Sequence, residues 1–203
     1  MIDDKSIPKS ESDLLLFDWG YDLMEEYFRM ISAANFPPNS LILDVATGTG
    51  RAASTLTRLG HSVITGDYNL DSKIESERRI TEAYLDKVKY IRLNLEKIPF
   101  ADSTVDNIVC INTMHELNNP FLCLSEIIRV HSPKGKLLMA DFNSEGFDVM
   151  DKLHTVRKGE LHSRGKISSG EIKNILVDNY SAIKEINTKL NRGFIAGGNR
   201  NES

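Results

Sequence analysis

The 203-residue sequence has two cysteines, Cys110 and Cys123, a single tryptophan and no long hydrophobic run. Two cysteines cannot staple a secreted disulfide scaffold, so a reducing compartment is expected. Cys110 sits inside an apolar stretch and reads as buried packing rather than a redox or metal group. No window approaches the ~18 uninterrupted apolar residues that a membrane span needs. Met1–Lys5 lacks the charged head and apolar core of a secretory leader. Neither sign of charge dominates: 25 Lys and Arg face 29 Asp and Glu, a net charge of −4. No overall field therefore draws the chain to nucleic acid or an anionic membrane. Repeats, low-complexity tracts and composition breaks are also lacking. The expectation is one soluble, cytoplasmic domain over 1–203, with no nucleic-acid or membrane partner. Its length permits burial of roughly 70% of the unfolded chain's surface.

What is present is an alternation of element types. Residues 1–11 are polar and expected to be loose. From Ser12 a helical pattern follows, with Leu23, Met24, Tyr27, Phe28 and Ile31 at three- and four-residue spacings, ended by Pro37-Pro38. Leu41–Ala46 is too continuously apolar for a half-exposed strand and reads as a buried one. A helix with Ala52, Ala53, Leu56 and Leu59 follows, stopped at Gly60. Further strands are expected at 62–66, 88–93, 105–112 and 137–140, with a polar helix near 71–86. Asn119-Pro120 starts a helix, and Ser168–Glu171 fits a capping box before another. Two last extended segments, about 181–190 and 193–198, flank Asn191-Arg192-Gly193.

This order predicts an α/β fold: a Rossmann-like, doubly wound, mostly parallel seven-stranded sheet with helices on both faces. The final connection is too short for a crossover helix, so the last two strands should pair antiparallel. Within the single domain, 1–39 reads as a helical lid region and 40–142 as a cofactor-binding core. Residues 143–203 read as a substrate-side connection with a C-terminal hairpin. Open sheets of this kind bind ligands beyond the carboxyl ends of their strands, so chemistry is sought just after each strand.

The first strand runs into Asp44-Val45-Ala46-Thr47-Gly48-Thr49-Gly50. Glycines at such a turn tolerate positive φ and let a ligand approach the backbone. The second strand ends at Asp67, seventeen residues after Gly50, a spacing at which a carboxylate can accept both hydroxyls of a ribose. Two cofactor types satisfy these features, because Gly48–Ala53 also fits the dinucleotide pattern G-x-G-x-x-A.

Leu41–Ala53 resembles the first motif of class I S-adenosylmethionine-dependent methyltransferases. Its Asp-Val-Ala-x-Gly-Thr-Gly wording is similar to the menaquinone/ubiquinone-biosynthesis C-methyltransferase type. Asn94–Phe100 with Ser103–Asp106, Thr113–Leu117, and Ser132–Lys136 resemble three later motifs of that group in the same order. The likeness covers about residues 40–142. A nicotinamide or flavin oxidoreductase has no reason to carry the last three motifs, and it remains the alternative beside a non-catalytic cofactor-binding protein. The resemblance implies S-adenosylmethionine as cofactor and methyl transfer to a small-molecule acceptor. It implies that Asp44 and the Ala46, Thr47, Gly48, Thr49 and Gly50 backbone hold the methionine end. Asp67 would bind the ribose, Tyr68 would lie against adenine, Asn94 and Leu95 would meet the adenine edge, and Asn112 and Thr113 would border the sulfonium. Ala46 stands where the commonest motif has glycine, and Asn94 where aspartate is usual. An amide oxygen accepts a weaker hydrogen bond than a carboxylate.

On the substrate side, His115 reads either as a general base or as the residue that fixes its turn. His154 and His162 lie in the long connection after the fifth strand. Between Lys152 and Lys166 stand five basic residues and one acid, either a solvated face or an anion-binding wall that includes Arg157 and Arg164. Trp19 and Tyr21 interrupt the N-terminal helical pattern and are the expected lid aromatics. No metal site is expected: Asp141 has no adjacent Asp or Asn, and there is no cysteine cluster suited to arsenic or zinc. Asn112-Thr113-Met114 is not the Asn-Pro-Pro-Tyr kind of motif of amine-directed DNA methylation, nor is there a Pro-Cys pair for cytosine C5. A small organic acceptor, anionic if the basic wall is real, is the expectation.

Overall fold

The computed structural model describes residues 7–200, with side chains through 198; the leader reading at Met1–Lys5 falls outside them. The expected loose start is corrected from Ile7 onward. Ile7 is buried, and Ser10 closes a capping box with Asp13 that starts helix α1, Glu11–Asp18. The single N-terminal helix expected from Ser12 is in fact two. Trp19 and Gly20, the latter at φ +84°, turn the chain, and Asp22 caps α2, Leu23–Ala34, by accepting from Met24 and Glu25 N–H. Then come β1 (Leu41–Val45), α3 (Arg51–Arg58), β2 (Ser62–Asp67) and α4 (Lys73–Ile80). The polar helix near 71–86 is broken by Thr81, at φ +68°, into α4 and a 3-10 turn, Glu82–Lys87. The chain continues through β3 (Val88–Arg92), β4 (Val105–Ile111), α5 (Pro120–Val130), β5 (His131–Phe142), α6 (Ser144–Lys158), α7 (Ser169–Asn179), β6 (Tyr180–Asn187) and β7 (Asn191–Arg200).

The seven strands lie in the order β3-β2-β1-β4-β5-β7-β6. Strands β1 to β5 pair in parallel, and β7 is antiparallel to both β5 and β6. The antiparallel pairing of the last two strands is thus as expected. β5 begins earlier than the apolar pattern suggests: His131 pairs with Val105, and the Ser132–Gly135 turn bulges out before Lys136 rejoins opposite Asn107. Gly135 permits the bulge, since a Cβ there would lie 1.5 Å from Asp106 O.

Successive residues of a buried strand face opposite layers. Leu43, Ile108, Leu137 and Met139 pack under α5 and α7 (Leu124, Ile127, Ile172, Leu176). Ile42, Val63, Val109 and Leu138 pack under α2, α3 and α4 (Met30, Ile31, Leu56, Ile80). A third cluster, with Leu16, Leu23, Phe142, Val149, Met150, Leu153 and Leu190, joins α1 and α6 beyond the end of β5. It roofs the strand ends and so builds a cleft there.

Candidate active site

The cleft, about 1100 Å3, opens at the carboxyl ends of β1, β4 and β5. Its floor is the turn between β1 and α3. Ala46, Gly48 and Gly50 all have positive φ, at 69°, 47° and 79°. Ala46 therefore occupies a left-handed position that disfavours a Cβ, which is the physical reason glycine is commoner there. Gly50 is additionally pressed on α4, where a Cβ would come 2.4 Å from Ser76 Oγ.

Under this turn runs a chain of hydroxyls. Thr65 Oγ1 donates to Asp44 Oδ2 at 2.8 Å, so Thr47 Oγ1 donates in turn to Thr65 Oγ1, also at 2.8 Å. Asp44 is buried. Burial pushes its carboxyl up to about 7, helped by the Asp67 charge and opposed by the Thr65 bond. At the end of β2, Asp67 accepts Gly48 N–H at 3.1 Å and Tyr68 N–H at 2.8 Å. Its oxygens keep further lone pairs free for hydroxyl donors. A second hollow of about 480 Å3 continues past Asp67 between Tyr68, Asn94, Leu95 and Glu116. Tyr68 is exposed there, with Arg92 5.7 Å from its ring centre. Asn94 Oδ1 already accepts Glu96 N–H at 2.9 Å, which leaves it one lone pair. Asn112, at φ +54°, and Thr113 line the cleft above β4.

Residues 43–139 match a family model described as a methyltransferase domain. Relatives include a demethylmenaquinone methyltransferase of Renibacterium salmoninarum, 28% identical over 62% of this chain and 51% of that protein. Another is a ubiquinone/menaquinone biosynthesis C-methyltransferase of Shewanella pealeana, 29% identical over 62% of this chain and 52% of that protein. The match therefore spans about half the length of each curated relative. A solved structure of an S-adenosylmethionine-dependent methyltransferase from Aquifex aeolicus superimposes with a TM-score of 0.59 at 23% identity, covering 84% of this chain and 88% of that one. The sheet order points the same way. A dinucleotide-binding sheet runs 3-2-1-4-5-6, whereas here an antiparallel β7 is inserted between β5 and β6. Residues 43–139 are thus similar to a methyltransferase domain, on a fold shared with solved S-adenosylmethionine-dependent methyltransferases.

The cleft is covered differently from expectation. Trp19 and Tyr21 are not among its lining residues. They pack at the edge of the roof cluster, with Lys152 Nζ 3.9 Å from the Trp19 ring centre and Lys189 Nζ 4.2 Å from that of Tyr21. The cover is instead Pro8–Ser12. It is anchored by Asp13, a buried carboxylate 2.7 Å from both Arg51 Nη2 and Arg79 Nη2. Burial opposes its ionisation, but the two guanidiniums outweigh burial and hold Asp13 well below the usual carboxylate range. Arg79 also donates to Thr49 O (2.8 Å) and Pro8 O (3.2 Å), tying cover, glycine turn and α4 together. No signal at Asp13 or Arg79 foretold this, because their separation of 66 residues carries no period.

The basic wall is largely dismantled. Arg164 is paired with Asp148 and Asp151 at 2.9 and 2.6 Å, and Lys166 donates to Asn118 O. Arg157 and Lys158 do line the cleft, yet Arg157 is already bonded to Ser12 Oγ and Glu11.

The histidines converge. His115 is buried, its Nδ1 2.5 Å from Asp141 Oδ1 while its backbone N–H donates to Asp141 Oδ2 at 3.0 Å. A carboxylate only accepts, so Nδ1 carries the proton and Nε2 the lone pair. That lone pair faces His162 Nε2 at 2.9 Å, and the His154 ring centre lies 4.4 Å from that of His162. Burial, then the neighbouring imidazoles, lower His162 to about 4, and burial lowers His154. In this arrangement His115 anchors the turn after β4, and its Nε2 is already engaged by His162 rather than free as a base. Gly165 makes the convergence possible: at φ +70° it lies against the His115 backbone, where a Cβ would come 2.3 Å from His115 O. His115, Glu116 and His162, where no metal site was expected, each bring an atom able to ligate a metal within 4.8 Å of one another. Among the described residues, no helix is long and apolar enough to cross a membrane.

Proposed function

We propose that this chain transfers the methyl group of S-adenosylmethionine to a small organic acceptor, in the cytoplasm and as one domain over 1–203. The observation that carries the reading is the pairing of Asp67 with the glycine turn. Gly48 N–H and Tyr68 N–H hold the carboxylate in place beside two connected hollows.

The residues fit the cofactor. Asp44 and the Ala46–Gly50 backbone hold the methionine end, and the Thr49 hydroxyl, buried without a protein partner, is free to bond there. Asp67 takes the ribose hydroxyls. Tyr68 lies against the adenine, and Asn94 spends its remaining lone pair on the adenine amino group beside Leu95. Asn112 and Thr113 border the sulfonium. Bound there, the cofactor supplies an already activated methyl group. The protein's work is alignment and exclusion of water, and alignment alone can supply roughly 7–11 kcal/mol of barrier reduction. The Pro8–Ser12 cover excludes water from above. His154, Arg157 and His162 face the acceptor's part of the cleft, and an anionic acceptor group would meet Arg157 and Lys158.

Parallel calorimetric titrations with S-adenosylmethionine, S-adenosylhomocysteine, NAD and FAD test the reading. Micromolar binding of the two sulfur ligands alone is expected. Binding of a dinucleotide instead would mean that the glycine turn serves an oxidoreductase.

A further inference from the structure

We propose that His115, Glu116 and His162 form a zinc site whose open position faces the methyl acceptor. The site itself stands on geometry; its role in the reaction rests on the methyl-transfer reading above.

Two imidazole nitrogens and one carboxylate oxygen are the donor set of an open catalytic zinc centre, which keeps a fourth position for water or substrate. Bonds of about 2.05 Å at the tetrahedral angle separate two donors by about 3.3 Å. His115 Nε2 lies 2.9 Å from His162 Nε2 and 3.7 Å from Glu116 Oε1. These two separations each differ from that value by about 0.4 Å, and the His162–Glu116 pair lies within 4.8 Å. His162 Nε2–H donates to His115 Nε2 while no ion is bound, and loading the site turns that His162 nitrogen's lone pair inward.

The groups behind the donors are those of a metal site. Asp141 accepts from His115 Nδ1 at 2.5 Å, the carboxylate–histidine arrangement that fixes the tautomer and the ring's orientation. The His162 backbone N–H donates to Asp151 Oδ1 at 2.9 Å and fixes that residue's place in the chain, and Arg164 braces Asp151. Phe142 and Phe147 pack against the His115 ring at 5.5 and 5.4 Å and keep it dry. Glu116 and His162 line the same cleft as Asn112 and Thr113, so an acceptor held at the ion would share that cleft with the cofactor.

An acceptor hydroxyl or thiol bound there loses its proton to solvent and stays on zinc as an alkoxide or thiolate. Its oxygen or sulfur then attacks the methyl carbon. The S–CH3 bond breaks with its electron pair going to sulfur, giving a neutral thioether and a methylated acceptor. No oxidant or reductant enters. The acceptor class is thereby narrowed to small molecules with an ionisable hydroxyl or thiol.

Metal-free full-length protein is titrated with Co2+, followed by its visible absorption, and with Zn2+ in competition. One ion per chain at micromolar affinity or tighter is expected. His162→Ala and Glu116→Gln should each weaken Zn2+ binding at least tenfold, and Asp141→Asn by about 10–100-fold. Glu116 is exposed, so its variant tests the site without disturbing the core. S-adenosylhomocysteine binding by His162→Ala should be unchanged, which separates this proposal from the cofactor reading. No stoichiometric site in the parent protein, or equal Zn2+ affinity in the parent and both ligand variants, would overturn it.

Discussion

At the end of β2 the Asp67 carboxylate accepts N–H bonds from Gly48 and Tyr68, so both oxygens are positioned before a ligand arrives. Hydrogen bonds to a charged acceptor contribute about 1.5–3 kcal/mol each. Asp67→Ala should therefore weaken S-adenosylhomocysteine binding by roughly 10–100-fold or more, measured by calorimetry. An unchanged affinity would remove Asp67 from the ribose site. Asp44 acts through its proton. Its carboxyl is raised to about 7 by burial, and a bound ligand ammonium would favour the ionised form. At pH 6, where the ligand's α-amino group is already protonated, binding should release most of one proton. Titrations in buffers of different ionisation enthalpy read this directly, and Asp44→Asn should abolish the release.

Among the elements, α1 is the piece whose attachment is least visible in its own sequence. Its Ser10–Asp13 capping box is legible, but Asp13 does a second job by meeting Arg51 on α3 and Arg79 on α4. Removing one partner of a buried ion pair leaves the others uncompensated and costs about 3–5 kcal/mol. Asp13→Ala should lose stability on that scale in urea unfolding, and it should also free the Pro8–Ser12 cover and weaken cofactor binding. The connection after α6 has one comparably tight point. Gly165→Ala would place a methyl 2.3 Å from His115 O at a positive φ. The expected outcome is displacement of His162, seen as loss of its shifted imidazole resonance in an NMR pH titration, with β1–β4 intact.

Over the whole molecule, buried groups pull stability in opposite directions with pH. Asp44 ionises at 3.8 when unfolded and at about 7 when folded. The unfolded chain holds fewer protons between these values, so this contribution is present below pH 3.8 and is lost as pH rises to 7. His162 is lowered from 6.5 to about 4. The unfolded chain then holds more protons between those values, and stability is lost as pH falls from 6.5 to 4. Asp13, held low, adds a loss below pH 3.8. Relative to the parent protein, Asp44→Asn should gain stability as pH rises from 4 to 7, by up to roughly 4 kcal/mol. Urea midpoints across that range measure it, and a constant difference would contradict the burial of an ionisable group at Asp44.

Strand and helix order, the antiparallel end of the sheet and the glycine turn were all legible in the chain, because each rests on local periodicity or on the conformational freedom of single residues. Leu41–Val45, the Ser168 cap and the Gly48–Gly50 turn needed no distant partner to be read. Element lengths were less legible: Thr81 and the Ser132–Gly135 bulge are shaped by neighbours on other elements. What covers the cleft, and what its histidines do, was decided by tertiary structure alone. Trp19 and Tyr21 look like lid residues by type, yet α1 swings them to the outer edge and brings Pro8–Ser12 over the cleft. His115 and His162 are 47 residues apart and meet only because β4, β5 and the connection after α6 end at one place. Local sequence determines which elements form; the juxtaposition of side chains from different elements depends on packing, which leaves no period to read.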